Sequence, residues 1–146
     1  MIIYEKLHKI QQALKVPKDA VNKFGNYNYR TAESILRAFK EKNEELNLSL
    51  ILMLSDEISF INNRFYVKAI VTLTDAEAKQ SVFVSAFARE TENKKGMDEA
   101  QVTGASSSYA RKYALSGLLA IDDGKDPDSQ EPATENKVTP KTKIDF

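Results

Sequence analysis

Two clusters in this chain combine cations with aromatic or very small side chains, and both suit contact with a polyanion. The first is Arg111-Lys112, set in the segment GMDEAQVTGASSSYARKYALSGLLAIDD, residues 96–123. Within it Gly104–Ser108 has almost no side-chain bulk, so another backbone can approach closely, and charges beside such a surface need an anion to meet. The second is Tyr27-Asn28-Tyr29-Arg30, where rings beside a guanidinium at a helix entrance can stack bases and hold phosphate. Each cluster also has a plainer reading. Small residues pack a core helix, and tyrosines in a turn pack on a sheet.

Other chemistry finds less support. With no cysteine and a single histidine, His8, Cys-ligated and His-rich metal centres are excluded. Asp122, Asp123, Asp126 and Asp128 could hold Mg²⁺ for a nuclease, but they read first as a helix stop followed by a solvated acidic linker, and no positioned base or second carboxylate cluster on the strands accompanies them. The chain has no GxxxxGK[ST] phosphate loop, so no ATP-driven step is expected.

Several elements must position these clusters. Ile3, Leu7, Ile10 and Leu14, spaced four, three and four apart, predict an amphipathic helix over Ile2–Leu14 that leaves Glu5, Lys6, Lys9 and Gln12 outward and ends near Pro17. A polar, turn-rich stretch follows. Thr31 then caps a second helix of about four turns lined by Ile35, Leu36, Phe39 and Leu46, with Ser34 in place of the Glu or Gln of a full capping box. Strand signals come next in Leu48–Leu54, Ile58–Ile61, Arg64–Thr74 and Gln80–Arg89, with Asn62-Asn63 as a turn. Short connections imply an antiparallel meander. Both faces of its last two strands carry apolar residues, so one face takes the helices and the other asks for a partner chain or a ligand.

Thr91–Met97 reads as a polar loop containing Lys94 and Lys95. Asp98, with Gln101 three places on, starts a last helix that runs to about Ile121. On a 100° projection Val102, Ala105, Tyr109, Tyr113 and Ser116 share one face, and Gly104, Arg111, Leu115, Leu118 and Leu119 another. The fold class expected is therefore α+β, a three-stranded antiparallel meander packed on helices. The domain boundary falls near residue 123, and a disordered acidic tail covers 124–146.

The 146 residues, 42% hydrophobic and 29% charged, suit one folded domain plus a tail. Net charge is zero, but residues 1–121 hold 17 basic against 14 acidic side chains and residues 122–146 hold 4 against 7, so a weakly basic body (+3) is masked by an acidic tail (−3). A DNA site on such a body must come from local clustering or from many subunits adding their fields. No signal-peptide pattern and no apolar stretch of about 18 residues occurs, so a chain without a membrane span, working in the cytoplasm, is expected.

The 96–123 segment closely resembles the signature helix of the ERF (essential recombination function) family of phage single-strand annealing proteins, and FGNYNYRTAESIL, residues 24–36, resembles that family's upstream motif. The similarity covers about residues 2–123. It implies a β-β-β-α core with added N-terminal helices, related to the ring-forming annealing domain of a eukaryotic recombination mediator. It also implies a homo-oligomer, ring or helical, that binds single-stranded DNA in a bacterial host without a cofactor and without catalysis. By that resemblance Arg30, Arg111 and Lys112 become the leading phosphate contacts, Lys94 and Lys95 loop candidates, and Tyr27 and Tyr29 the accompanying rings. Helix, three strands, helix is also the order of a double-stranded-RNA-binding module. The extra N-terminal helix and a last helix opening on Asp98-Glu99 instead of lysines count against that alternative. The end of the chain, Lys143-Ile144-Asp145-Phe146, resembles the terminal peptides by which single-strand-binding proteins recruit partners such as other recombination proteins; otherwise it is an untethered end.

Overall fold

The computed structural model describes residues 1–92 and 96–122. Among them the elements in chain order are α1 (Ile3–Ala13), β1 (Ala20–Asn22), β2 (Tyr27–Tyr29), α2 (Ala32–Glu45), β3 (Leu50–Ile61), β4 (Arg64–Asp75), β5 (Gln80–Arg89) and α3 (Glu99–Leu119). The fold is α+β, as the pattern of residues predicts. The described residues divide into two compact units, one of residues 1–16 and 30–121, the other containing residues 17–29. The expected acidic tail, with Lys143–Phe146, lies outside the described residues.

The larger unit is built on a sheet of order β3-β4-β5, antiparallel throughout. Two-residue connection Asn62-Asn63 takes φ of 51° and 62°, the left-handed conformation that a tight hairpin turn needs and that asparagine tolerates. Alternation decides the faces. Val67, Ala69, Val71 and Leu73 of β4 are fully buried against the helices, joined by Val82, Val84, Ala86 and Ala88 of β5. Ile10 of α1, Ile35 and Phe39 of α2, and Leu115 and Leu119 of α3 complete this core. The opposite sheet face stays open: Met53, Phe83 and Phe87 are 64%, 69% and 51% exposed.

Local chemistry sets the helix starts. The Thr31 hydroxyl accepts from the Ser34 amide at 3.0 Å while the Ser34 hydroxyl accepts from the Thr31 amide at 3.1 Å, so serine completes the reciprocal cap. Asp98 and Gln101 do the same at α3, at 2.8 and 3.0 Å.

The structure corrects four expectations. Leu48–Leu54 and Ile58–Ile61 are not separate runs: β3 is one strand of 12 residues, carried through Ser55-Asp56-Glu57 by pairing with β4, where Glu57 lies opposite Lys68. Such an edge strand tolerates polar residues because its backbone bonds do not depend on them. Leu46 does not line α2 but is its C-cap, 36% exposed. The turn-rich stretch before α2 contains a small hairpin, β1 paired with β2. Finally, Lys6 does not point outward. It lies on the buried side of α1 between Ile3 and Ile10, 3% exposed, and its ammonium binds Asp75 at 2.8 Å and Glu77 at 2.7 Å.

Candidate functional site

Helix α3 presents one flank to the strands and another to solvent. Val102, Ser106, Ala110, Ala114, Leu115, Leu118 and Leu119 are buried, and the small members of that set let the helix lie close on the sheet. This is the core-packing explanation, and it accounts for Ser106, Ala110 and Ala114. It does not account for Gly104 and Gly117, where an added Cβ would meet nothing within 4 Å. The projected grouping of Val102 with Tyr109 and Tyr113 does not hold, since Val102 is buried and the tyrosines are 50% and 56% exposed. Nor does Gly104 share the buried flank of Leu115, Leu118 and Leu119. A helix without a polar side leaves its orientation to the sheet it packs on.

Arg111 sits at the margin between these flanks. Its Nε donates to Oδ1 of Asp56 on β3 at 3.1 Å, and the Ser107 hydroxyl donates to Oδ2 of the same carboxylate at 2.6 Å. The anion expected beside this arginine is thus supplied in part by the chain itself. Both partners are partly exposed, 36% and 27% for the side chains, so the pair contributes about 1 kcal/mol or less, and a phosphate can compete with it.

Lys112 occupies the solvent flank. Its ammonium lies 5.1 Å from the ring centre of Tyr109 and 5.6 Å from that of Tyr113. Those rings are 6.4 Å apart and inclined by 24°. The three residues form an exposed aromatic–cation cluster that reading the sequence for charge alone passed over. Its signal was available in the Tyr109, Lys112, Tyr113 spacing of three and four, which brings side chains together on any helix. From Ala100 to Leu119 the helix has no acidic side chain.

The other expected contacts lie elsewhere. Arg30 leads into α2, and its Nε donates to the Val16 carbonyl at 2.8 Å, bonding the residues at which the chain leaves and re-enters the larger unit. Tyr27 and Tyr29 belong to the smaller unit, where their rings stand 6.1 Å apart at 59° on β2. There Asn22 accepts from the Phe24 and Gly25 amides, both at 2.9 Å, to form the hairpin turn. Lys94 and Lys95 lie outside the described residues. The structure therefore brings Arg111 and Lys112 together on one helix and engages Arg30 at a separate place.

A cleft of about 820 Å³ opens beside the first turn of α3. Among the described residues its lining includes Glu90, Glu92, Asp98 and Glu99 against Arg64, a negative set that does not itself attract a polyanion. Among the described residues no group of three or more His, Asp or Glu side chains is placed to hold a metal ion; Asp123, Asp126 and Asp128 lie outside them. No described helix is long and apolar enough to cross a membrane.

Comparison with known proteins bears on what this surface meets. Residues 3–145 match the family model described as ERF superfamily. Over 137 residues the chain is 52% identical to the "Essential recombination function protein" of Salmonella phage P22, a match that covers 94% of this chain and 64% of that relative's length. No solved structure matches the chain.

Proposed function

The chain belongs to the ERF superfamily, and from that premise we propose that it serves phage recombination by binding single-stranded DNA as a homo-oligomer and annealing complementary strands without a nucleotide cofactor. The observation that carries the reading is helix α3, where Lys112 on the solvent flank and Arg111 at its margin stand on a stretch free of acidic side chains. Lysine and arginine neutralise phosphates and release counterions, so binding of this kind is indifferent to sequence and weakens steeply with salt. A strand held by its backbone keeps its bases available. Repetition of a modest site around an oligomer multiplies its affinity through effective concentration, and base pairing then drives annealing. Arg30, Lys94 and Lys95 are the further phosphate contacts proposed, Tyr27 and Tyr29 the hairpin's stacking rings, and the C-terminal segment the place where another recombination protein or a single-strand-binding protein docks.

The deciding experiment follows annealing of two labelled complementary oligonucleotides over a range of salt, with and without ATP and Mg²⁺. Acceleration that needs neither and fades with salt is expected. Strand binding without acceleration would reduce the protein to a binding module, and shortened DNA in the presence of Mg²⁺ would make it a nuclease. In the same samples, Arg111→Ala with Lys112→Ala will weaken strand binding roughly several-fold or more and flatten its salt slope, with folding retained. Asp56→Asn, which frees Arg111 from its internal carboxylate, will shift affinity the other way. An unchanged slope in the double variant would assign the phosphate contacts to other residues.

A further inference from the structure

We propose that Tyr109 and Tyr113 form a base-stacking platform for single-stranded DNA, with Lys112 between them holding the adjoining phosphate. The inference rests on the reading of the chain as a strand-binding protein and adds a mode of contact that phosphate neutralisation does not supply. The two rings are half exposed and close to parallel, inclined by 24° with their centres 6.4 Å apart. Helix α3 buries its leucines, Val102 and its small Ser106, Ala110 and Ala114, yet leaves its two largest side chains, Tyr109 and Tyr113, half exposed. Lys112 lies within reach of both rings. This places a cation beside aromatic faces, the combination by which proteins hold a single strand without regard to sequence.

Gly117, four places on from Tyr113 and so on the same side of the helix, has open space where a Cβ would stand, which leaves that side of the rings uncrowded. A base stacked on a tyrosine keeps its pairing edge free, which makes the contact compatible with annealing.

The test uses the full chain and two probes of equal length, an oligothymidylate and an abasic deoxyribose-phosphate oligomer. Tyr109→Ala with Tyr113→Ala will lower oligothymidylate affinity by roughly fivefold or more for each ring lost. Affinity for the abasic probe and the salt slope will stay as in the wild type. Tyr109→Phe with Tyr113→Phe will restore binding, because the ring and not the hydroxyl makes the contact. Since the chain has six tyrosines and no tryptophan, quenching of tyrosine emission by oligothymidylate gives a direct readout, and the phenylalanine variant will lose part of it. An equal loss on both probes would overturn the proposal and reduce the tyrosines to supports for Lys112. Full affinity in the folded alanine variant would also overturn it, and more so if Phe83→Ser with Phe87→Ser on the open sheet face removed the base-dependent binding instead. A wild-type protein that bound neither probe would overturn the strand-binding reading as well, a result distinct from the other two.

Discussion

Replacing Lys6 with methionine will lower the thermal midpoint by on the order of 10 °C, a large effect for one residue of an amphipathic helix. The reason lies in what remains behind. Asp75 has no solvent exposure; its Oδ1 accepts from the Lys6 ammonium at 2.8 Å and from the Glu77 amide at 3.0 Å, while Oδ2 has no partner. Without the ammonium, a buried carboxylate loses its counter-charge and α1 loses its polar tie to the end of β4. Thermal unfolding by circular dichroism measures the loss, and the pair Lys6→Met with Asp75→Leu will recover part of it.

The pair also gives a pH signature. The Lys6 hydrogen bond, helped by the Glu77 and Ala78 amides and opposed by burial, holds the Asp75 carboxyl below its ordinary value of 3.8. A depressed carboxyl contributes stability that is present above about 3.8 and is lost as pH falls through the lower folded value. Lys6 is raised above 10.5 by its hydrogen bonds to Asp75 and then Glu77, so its contribution is complete below 10.5 and disappears as pH rises through the folded value. The difference between wild type and Lys6→Met will therefore be largest at neutral pH, will narrow toward acid once the unpaired, buried Asp75 of the variant takes up a proton, and will narrow toward base as Lys6 of the wild type loses its own. A difference that stayed constant into strong acid would show that the pair is not what ties α1 down.

Leu115→Ala will cost roughly 3 kcal/mol, within the range of about 2–5 for a buried leucine. Leu115 is fully buried on α3, in the cluster that joins that helix to β4, α1 and α2. Truncation there removes contacts from several elements at once, and a sheet of hydrogen-bonded strands cannot close around the cavity. Urea unfolding checks the value, with the slope unchanged if the variant unfolds from the same native state. Leu115→Met, which conserves volume, will cost less than about 1.5 kcal/mol. A loss under about 1 kcal/mol for the alanine variant would mean that α3 is free to move on the sheet, and the geometry of Tyr109, Arg111 and Lys112 would then not be fixed by the core.

Much of this protein is legible in the local order of its residues. The caps at Thr31 and Asp98, the period-two alternation of Arg64–Thr74 and Gln80–Arg89, and the Asn62-Asn63 turn are local signals. Each depends on bonds or faces defined within a few residues, and each is found in place. The resemblance carried by residues 24–36 and 96–123 led to the family for the same reason, since both motifs are contiguous. Other features required the chain to be folded. Ser55-Asp56-Glu57 looks like a break until pairing with β4 holds it in a strand, and Lys6 looks like a surface residue until Asp75, 69 positions away, provides its charge. On α3, apolar and small residues surround the axis so evenly that spacing cannot choose a buried side. Contact with the sheet makes that choice by taking in Val102, Ala110 and Leu115, and it thereby turns Tyr109, Lys112 and Tyr113 toward solvent. The types of residue available for binding were legible from local order, but which of them share a surface follows from packing between distant segments, whose energetics no local pattern contains.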